Sequence, residues 1–264
     1  MRIAVRDGIV LHVESDGDGP ALVLAAGLGG SAAFWDPLVP RLASRFRLIR
    51  FDHRGVGRSD RPATGHSIAR LSADVTDILD ALGIDRADFV GHSTGGAIGQ
   101  ELALTAPDRL RRLVLSGTWA RADARFRLLF ETRIAVLEAL GPRAHQGLAL
   151  LLGSGADWSP AREAEVAGAL DIADSMAPLD AAILGQRMRM LLDFDRLDDL
   201  PTVSMPTLVV SAEDDMIVSA VQGRAIADAI PGARFALQAG GHFFPRVDPH
   251  GFCWLVTAFL EEHP

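Results

Sequence analysis

The sequence predicts an α/β fold, with one mainly parallel sheet covered by helices on both faces. Three observations predict it. Short apolar runs alternate with segments of helical periodicity in the first and last parts of the chain. Several of those runs are apolar at nearly every position, as in strands buried on both faces. With 264 residues, 48% of them hydrophobic, the chain can build one large domain with a substantial core, or a core carrying an insert.

The elements follow in order. Ile3 to Arg6 and Ile9 to Glu14 are strand-like runs joined at Asp7-Gly8, a hairpin signal. Ala21 to Ala25, Phe46 to Phe51 and Ala87 to Val90 are strands of the buried type. Between the last two, Ile68, Leu71, Val75, Ile78, Leu79 and Leu82 recur at helical spacing, and Gly83 closes that helix. A helix is expected over Gly96 to Leu104 and a strand over Arg112 to Ser116. From Trp119 to Leu200 no strand pattern occurs. Helical patterns cover Phe126 to Leu140, Gln146 to Leu152, Ala161 to Met176 and Leu179 to Leu192, parted by Gly141-Pro142, Gly153-Ser154-Gly155 and Ala177-Pro178. Alternation returns after Pro201 and Pro206: a strand at Thr207 to Ser211, a helix at Ala220 to Ile230, a strand at Ala233 to Leu237 and a final helix at Phe252 to Leu260. The expected division is a core domain from 1–118 and 201–264, with 119–200 as a helical cap over the carboxyl edge of the sheet, where such folds keep their sites.

The bulk properties exclude several function classes. Net charge is −8, so nothing electrostatic favours nucleic acid or an anionic membrane as partner. No stretch of about 18 consecutive apolar residues predicts a membrane span. The N-terminal apolar run is short and broken by Asp7, unlike a signal peptide. The single cysteine, Cys253, rules out an intrachain disulfide and fits a reducing compartment, so a cytoplasmic protein is expected. Its neighbours Phe252, Trp254 and Leu255 suggest a packing role. There is no H-E-x-x-H or C-x-x-C pattern, and no metal or other cofactor is expected. The expected partner is a small-molecule substrate, bound by a monomer or homodimer.

Gly91-His92-Ser93-Thr94-Gly95 is the most informative stretch. It spells G-x-S-x-G between an expected strand and an expected helix. At such a turn the serine hydroxyl is held out of the sheet, and the positive end of the following helix points at it. Ser93 is therefore a candidate nucleophile, which needs a base and a group that orients the base. In sheets with this elbow the chain order is serine, acid, histidine. After Ser93 come His145 in the cap, His250 at the head of the last helix, His263 at the terminus, and His242. The last lies in Gly240-Gly241-His242-Phe243-Phe244, where two glycines permit close approach, and it is the expected base. The acid should follow the strand Thr207 to Ser211, among Glu213, Asp214 and Asp215; the residues alone leave these open, and Asp214 can instead bind backbone amides. Two backbone amides should stabilise the oxyanion of acyl transfer. The amide of Thr94 is one. The other is assigned to Leu28, in the loop Ala26 to Ser31. That loop does not complete G-x-G-x-x-G, and a Walker A lysine is absent.

Together these pieces resemble the α/β-hydrolase fold family, over essentially the whole chain. Asp52-His53-Arg54-Gly55-Val56-Gly57-Arg58-Ser59-Asp60 resembles the family's D-x-R-G-x-G-x-S segment, read as architectural. Glu213 to Val218 is similar to its G-x-x-D-x-x-x-P acid loop, with Ala212 and Ser219 where glycine and proline are usual. The resemblance implies an eight-stranded sheet, a cap inserted after the sixth strand, and Asp215 as the acid. Gly27 to Ser31 with Phe34-Trp35, and Ala156-Asp157-Trp158, look like the RutD-type aminoacrylate hydrolase branch; Val221-Gln222-Gly223-Arg224 resembles the 3-oxoadipate enol-lactonases. The implied activity is a serine hydrolase of a small ester, lactone, amide or carbamate, with a general carboxylesterase as the alternative. A ligand-binding protein on the same fold is the alternative of another class, and a degenerate triad would be its sign. A serine at the elbow excludes an aspartate nucleophile. Trp35, Trp119, Trp158 and Phe243, with Phe34 and Phe244, are candidate pocket walls. Arg121, Arg125, Arg187 and Arg189 are candidates to meet a substrate carboxylate.

Overall fold

Eight strands form one sheet in a computed structural model that describes residues 1–155 and 160–262. They are β1 (Arg2–Ala4), β2 (Val10–Asp16), β3 (Ala21–Ala25), β4 (Arg47–Phe51), β5 (Ala87–His92), β6 (Leu110–Ser116), β7 (Thr207–Ala212) and β8 (Arg234–Gln238). Their spatial order is β1-β2-β4-β3-β5-β6-β7-β8. The β1–β2 hairpin turns at Gly8, whose φ of 83° suits glycine, and β2 pairs antiparallel with β4. Every pairing from β4 to β8 is parallel.

The period-2 alternation of the central strands divides the core into two layers. Leu22, Leu24, Leu48, Val90, Val114 and Val210 face one layer, closed by Trp35, Phe244, Phe252 and Val256. Val23, Ile49, Phe89, Leu113, Leu115 and Val209 face the other, against the helices before and after β5. Burial on both faces is why these strands read as unbroken apolar runs.

The helices are α1 (Val39–Leu42), α2 (Ile68–Ala81), α3 (Thr94–Thr105), α4 (Ala124–Gly153), α5 (Pro160–Asp174), α6 (Pro178–Leu192), α7 (Ala220–Ala229), α8 (Phe244–Val247) and α9 (Pro249–Leu260). Ser67 caps α2, its hydroxyl accepting from the Arg70 amide at 3.1 Å. The two helical patterns on either side of Gly141-Pro142 are two helices that together make up α4, broken at Gly141, whose φ of 83° and ψ of 179° are not helical. The last helix begins at Pro249, three residues before the expected start. Asp248 caps it by accepting from the Gly251 amide at 2.8 Å. Its first turn is polar, so apolar periodicity shows only from Phe252 onward. The helices α4, α5 and α6 all lie between β6 and β7.

The segment after β4 ties the sheet's carboxyl edge together. Asp52 accepts from the amides of Ala32 at 2.8 Å and Arg58 at 2.9 Å. Ser59 Oγ donates to the Asp52 carbonyl at 2.6 Å and accepts from the His12 amide at 2.8 Å. Arg54 makes a two-pronged pair with buried Asp74, at 2.7 and 2.6 Å, and reaches Asp7 at 2.9 Å. A Cβ on Gly57 would sit 2.3 Å from Asp52 Oδ2, so only glycine lets the loop close on that carboxylate.

Candidate active site

Ser93 sits between β5 and α3 with φ 55° and ψ −116°. Among the described residues it alone takes a positive φ without being glycine. Such a conformation costs on the order of 1–3 kcal/mol and persists only where its surroundings impose it. They do so through glycines. A Cβ on Gly91 would meet the Gly95 carbonyl oxygen at 2.1 Å, and one on Gly95 would meet the Ala25 oxygen at 2.0 Å. The strand, the helix and the end of β3 thus touch backbone to backbone around the serine. The Ser93 amide donates to the Ser116 carbonyl at 2.8 Å, and Thr118 Oγ1 donates to the Ser93 carbonyl at 2.8 Å.

The loop after β3 lies against this turn. A Cβ on Gly27 would be 3.2 Å from Ser93 Cβ and 3.6 Å from its Oγ. The Gly30 amide closes the loop on the Gly27 carbonyl at 2.9 Å. Leu28, inside that turn, finds no acceptor for its amide among the described residues. Thr94 opens α3, where amides have no intrahelical acceptor. Two free donors therefore flank Ser93.

The other side of the site is built from the loops after β7 and β8. His242 Nδ1 lies 2.7 Å from Asp215 Oδ2, and both side chains are buried. The second oxygen of Asp215 accepts from the Ile217 and Val218 amides, each at 2.8 Å. The neighbouring Asp214 turns elsewhere and accepts from the amides of Gly240 at 3.1 Å and Gly241 at 2.9 Å. One acid thus holds the histidine side chain and the next holds its loop. Ser93 Oγ forms no hydrogen bond to His242 in this conformation; such bonds commonly tighten only when substrate binds.

His92 completes the packing. Its ring stacks on Phe34 at 4.9 Å and 12°, lies 4.9 Å from the His242 ring, and places Nδ1 3.1 Å from Ser116 Oγ. Burial pushes His92 well below the ordinary histidine range, so it stays neutral. The sequence offers no separate signal for this, because any residue can occupy the second position of G-x-S-x-G.

The expected pocket residues fall in different places. Trp35 and Trp119 are fully buried; Trp35 packs toward Phe252 and Trp119 on Phe126 at 4.5 Å. Phe243 lines a cavity of about 300 Å³ with Phe34, Leu150 and Arg246; Ser93, Asp215 and His242 are not on its walls. Trp158 and His263 lie outside the described residues. Of the four arginines, Arg121 pairs with Asp195 at 2.8 Å and Asp198 at 2.7 Å, and Arg189 pairs with Glu138. Arg125 donates to the Met216 carbonyl, and Arg187 is buried against the loops after β3 and β4. One buried pair had no sequence signal: Arg133 Nη2 lies 3.2 Å from His145 Nε2. Burial pushes Arg133 down to about 10 and His145 down to about 4. No group of three or more potential metal ligands occurs among the described residues, and no helix there is long and apolar enough to cross a membrane.

Residues 20–148 match the model of the alpha/beta hydrolase fold. The chain is 37% identical over 265 residues to the RutD protein of Caulobacter sp. (strain K31), provisionally named a carbamate hydrolase, covering 99% of this chain and 98% of that one. The chain belongs to the α/β-hydrolase family. The provisionally named RutD of Azorhizobium caulinodans is also 37% identical, over 96% of this chain and 95% of its own. The solved enol-lactonase of Burkholderia xenovorans LB400 is 30% identical and superposes with a TM-score of 0.89, covering 99% and 100% of the two chains. By its match to the hydrolase fold and its likeness over nearly the whole chain to the RutD proteins, this chain is a hydrolase. Its topology explains the common site: β3, β5, β7 and β8 all deliver their following loops to one edge of the sheet.

Proposed function

We propose that this chain hydrolyses a small ester, lactone, amide or carbamate through an acyl-enzyme on Ser93. The observation that carries the reading is the constrained Ser93 turn beside the buried His242–Asp215 pair at 2.7 Å. His242 Nε2 takes the Ser93 Oγ proton as Oγ bonds to the substrate carbonyl carbon. The resulting oxyanion is held by the Leu28 and Thr94 amides. The intermediate collapses, His242 returns the proton to the departing oxygen or nitrogen, and that bond breaks. Water then gives a proton to His242 as its oxygen attacks the acyl carbon, and His242 passes that proton to Ser93 Oγ as the acyl–Oγ bond breaks, which frees the acid and restores Ser93. Asp215 keeps the proton of neutral His242 on Nδ1 and stabilises the imidazolium.

The names of the RutD relatives favour a carbamate substrate, and the sequence's resemblance to the aminoacrylate hydrolase branch supports a small aminoacrylate beside it. The likeness to the enol-lactonase supports a small lactone as the second reading. Residues 119–200 act in this reading as the cap that selects the acyl group. The single buried cysteine and the acidic chain fit a cytoplasmic enzyme working as monomer or homodimer. The test is hydrolysis of p-nitrophenyl acetate by the parent and by Ser93→Ala, with fluorophosphonate labelling of each. The expected result is a labelled, active parent and an unlabelled, inactive variant. Equal rates in both would end the Ser93 reading.

A further inference from the structure

We infer that Arg187, on α6, is a positioning residue for the Leu28 amide. The inference rests on the hydrolase reading above. Arg187 is only 1% exposed, and its guanidinium holds three points at the sheet's carboxyl edge. Nη2 donates to the Leu28 carbonyl at 2.9 Å and to His53 Nδ1 at 3.0 Å; Nη1 donates to the Arg54 carbonyl at 3.1 Å. His53 can accept because burial and the arginine's own charge hold it well below the ordinary histidine range, so its ring is neutral.

The charge is otherwise unmatched. Among the described residues no carboxylate pairs with Arg187, whereas buried Arg54 nearby has Asp74 and Asp7. Burying an arginine without a counter-charge is costly, and an apolar side chain would fill the space without that cost. The loop is shaped around the cation as well. Gly30 has φ +63°, and a Cβ there would stand 2.8 Å from Arg187 Nη2 and 3.0 Å from His53 Cβ.

The contact is to the residue proposed to hold the oxyanion. The Gly30 amide fixes the Gly27 carbonyl and with it the peptide unit that carries the Leu28 N–H, while Arg187 fixes the next unit through the Leu28 carbonyl, so the Leu28 amide is held between two anchored groups in the loop where Gly27 meets Ser93. The uncompensated positive charge lies one backbone residue from where negative charge develops. Arg187 touches no reacting atom and acts through Leu28. Because it comes from α6, seating the inserted helices on the core and ordering the oxyanion loop become one event.

The test compares the full-length parent, Arg187→Met, Arg187→Lys and Ser93→Ala on p-nitrophenyl acetate. Functional sites are counted by labelling with a fluorophosphonate to completion, and affinity for phenylboronic acid, which forms a tetrahedral serine adduct, is measured in parallel. An interaction that acts in the transition state lowers kcat and spares KM. Arg187→Met is expected to lose about tenfold to a hundredfold in kcat per labelled site, with KM within about twofold. Boronate affinity should fall in step with kcat, and Arg187→Lys should recover at least about threefold by restoring charge and a donor yet stay at least about threefold below the parent, because one ammonium does not reproduce the guanidinium's three contacts. A purely structural role would lower the number of labelled sites and leave kcat per site unchanged, which overturns the inference. A loss carried by KM overturns it too. If Arg187→Met does not fold, Arg187→Lys carries the test, and parental kcat, KM and boronate affinity in that variant overturn the inference. Parental rates in Ser93→Ala reject the nucleophile reading instead. Inactive Ser93→Ala beside Arg187→Met at parental kcat rejects only the role of Arg187.

Discussion

Replacing Asp215 by asparagine separates the orienting of His242 from the folding of its loop. The asparagine carbonyl can still accept from the Ile217 and Val218 amides, now 2.8 Å from Oδ1, so the loop after β7 keeps its anchors. The change falls on the other oxygen, 2.7 Å from His242 Nδ1. The asparagine amide donates where the carboxylate accepted. His242 must then accept at Nδ1 and carry its proton on Nε2, where it cannot take the proton of Ser93. The known cost of forcing this tautomer in a serine triad is about 10⁴-fold in kcat, or roughly 5 kcal/mol of transition-state stabilisation. Asp214→Asn is the matched control. Its carbonyl can still accept from the Gly240 and Gly241 amides, so kcat should stay within about tenfold of the parent. The assay is steady-state hydrolysis of p-nitrophenyl acetate per labelled serine, with melting curves to confirm folding. An Asp215→Asn enzyme that keeps more than about a tenth of parental kcat refutes the proposed relay. So does an Asp214→Asn enzyme that falls as far.

Two further outcomes test other parts of the structure. His145 is buried beside Arg133 and is pushed from 6.5 down to about 4 in the folded chain. The unfolded chain therefore takes up the proton first, and stability is lost as pH falls from about 6.5 toward 4, by up to roughly 3 kcal/mol. His145→Gln lacks that proton, so urea unfolding at pH 7 and pH 4.5 should show the variant gaining on the parent as pH drops; a constant difference contradicts the buried neutral ring. Burial also pushes the Cys253 thiol up to about 11, at 4% exposure. Native protein at pH 8 should resist iodoacetamide while urea-unfolded protein takes up one adduct, as read by intact mass; rapid native alkylation contradicts the packing of α9.

Local patterns were sufficient for much of the architecture. All eight strands stand within a residue or two of their expected runs, and in the central ones burial on both faces writes itself as apolar composition. The Ser93 turn was legible because the close backbone approaches require glycine at fixed offsets from the serine. Helix ends were less legible. The polar first turn of α9 depends on the Asp248 cap, which apolar periodicity does not record, whereas the break in α4 at Gly141 was marked by Gly141-Pro142.

The sequence by itself determined the α/β class, the strand-turn-helix around Ser93, and the chain order in which acid and histidine loops follow it. Each is set by residues near one another in the chain. The residues alone left open which of two adjacent acids faces His242; the family resemblance implied Asp215, and the tertiary structure places it there. Asp214 and Asp215 have the same chemistry, and their difference arises from how the loops after β7 and β8 pack. The same holds for Trp35 and Trp119, which are core, and for Arg187, a candidate to meet a substrate carboxylate that is instead buried against the core loops. Their surroundings come from segments far away in sequence: Phe252 for Trp35, Leu28 and Arg54 for Arg187. Burial and charge pairing are properties of such distant neighbours, and a linear pattern does not contain them.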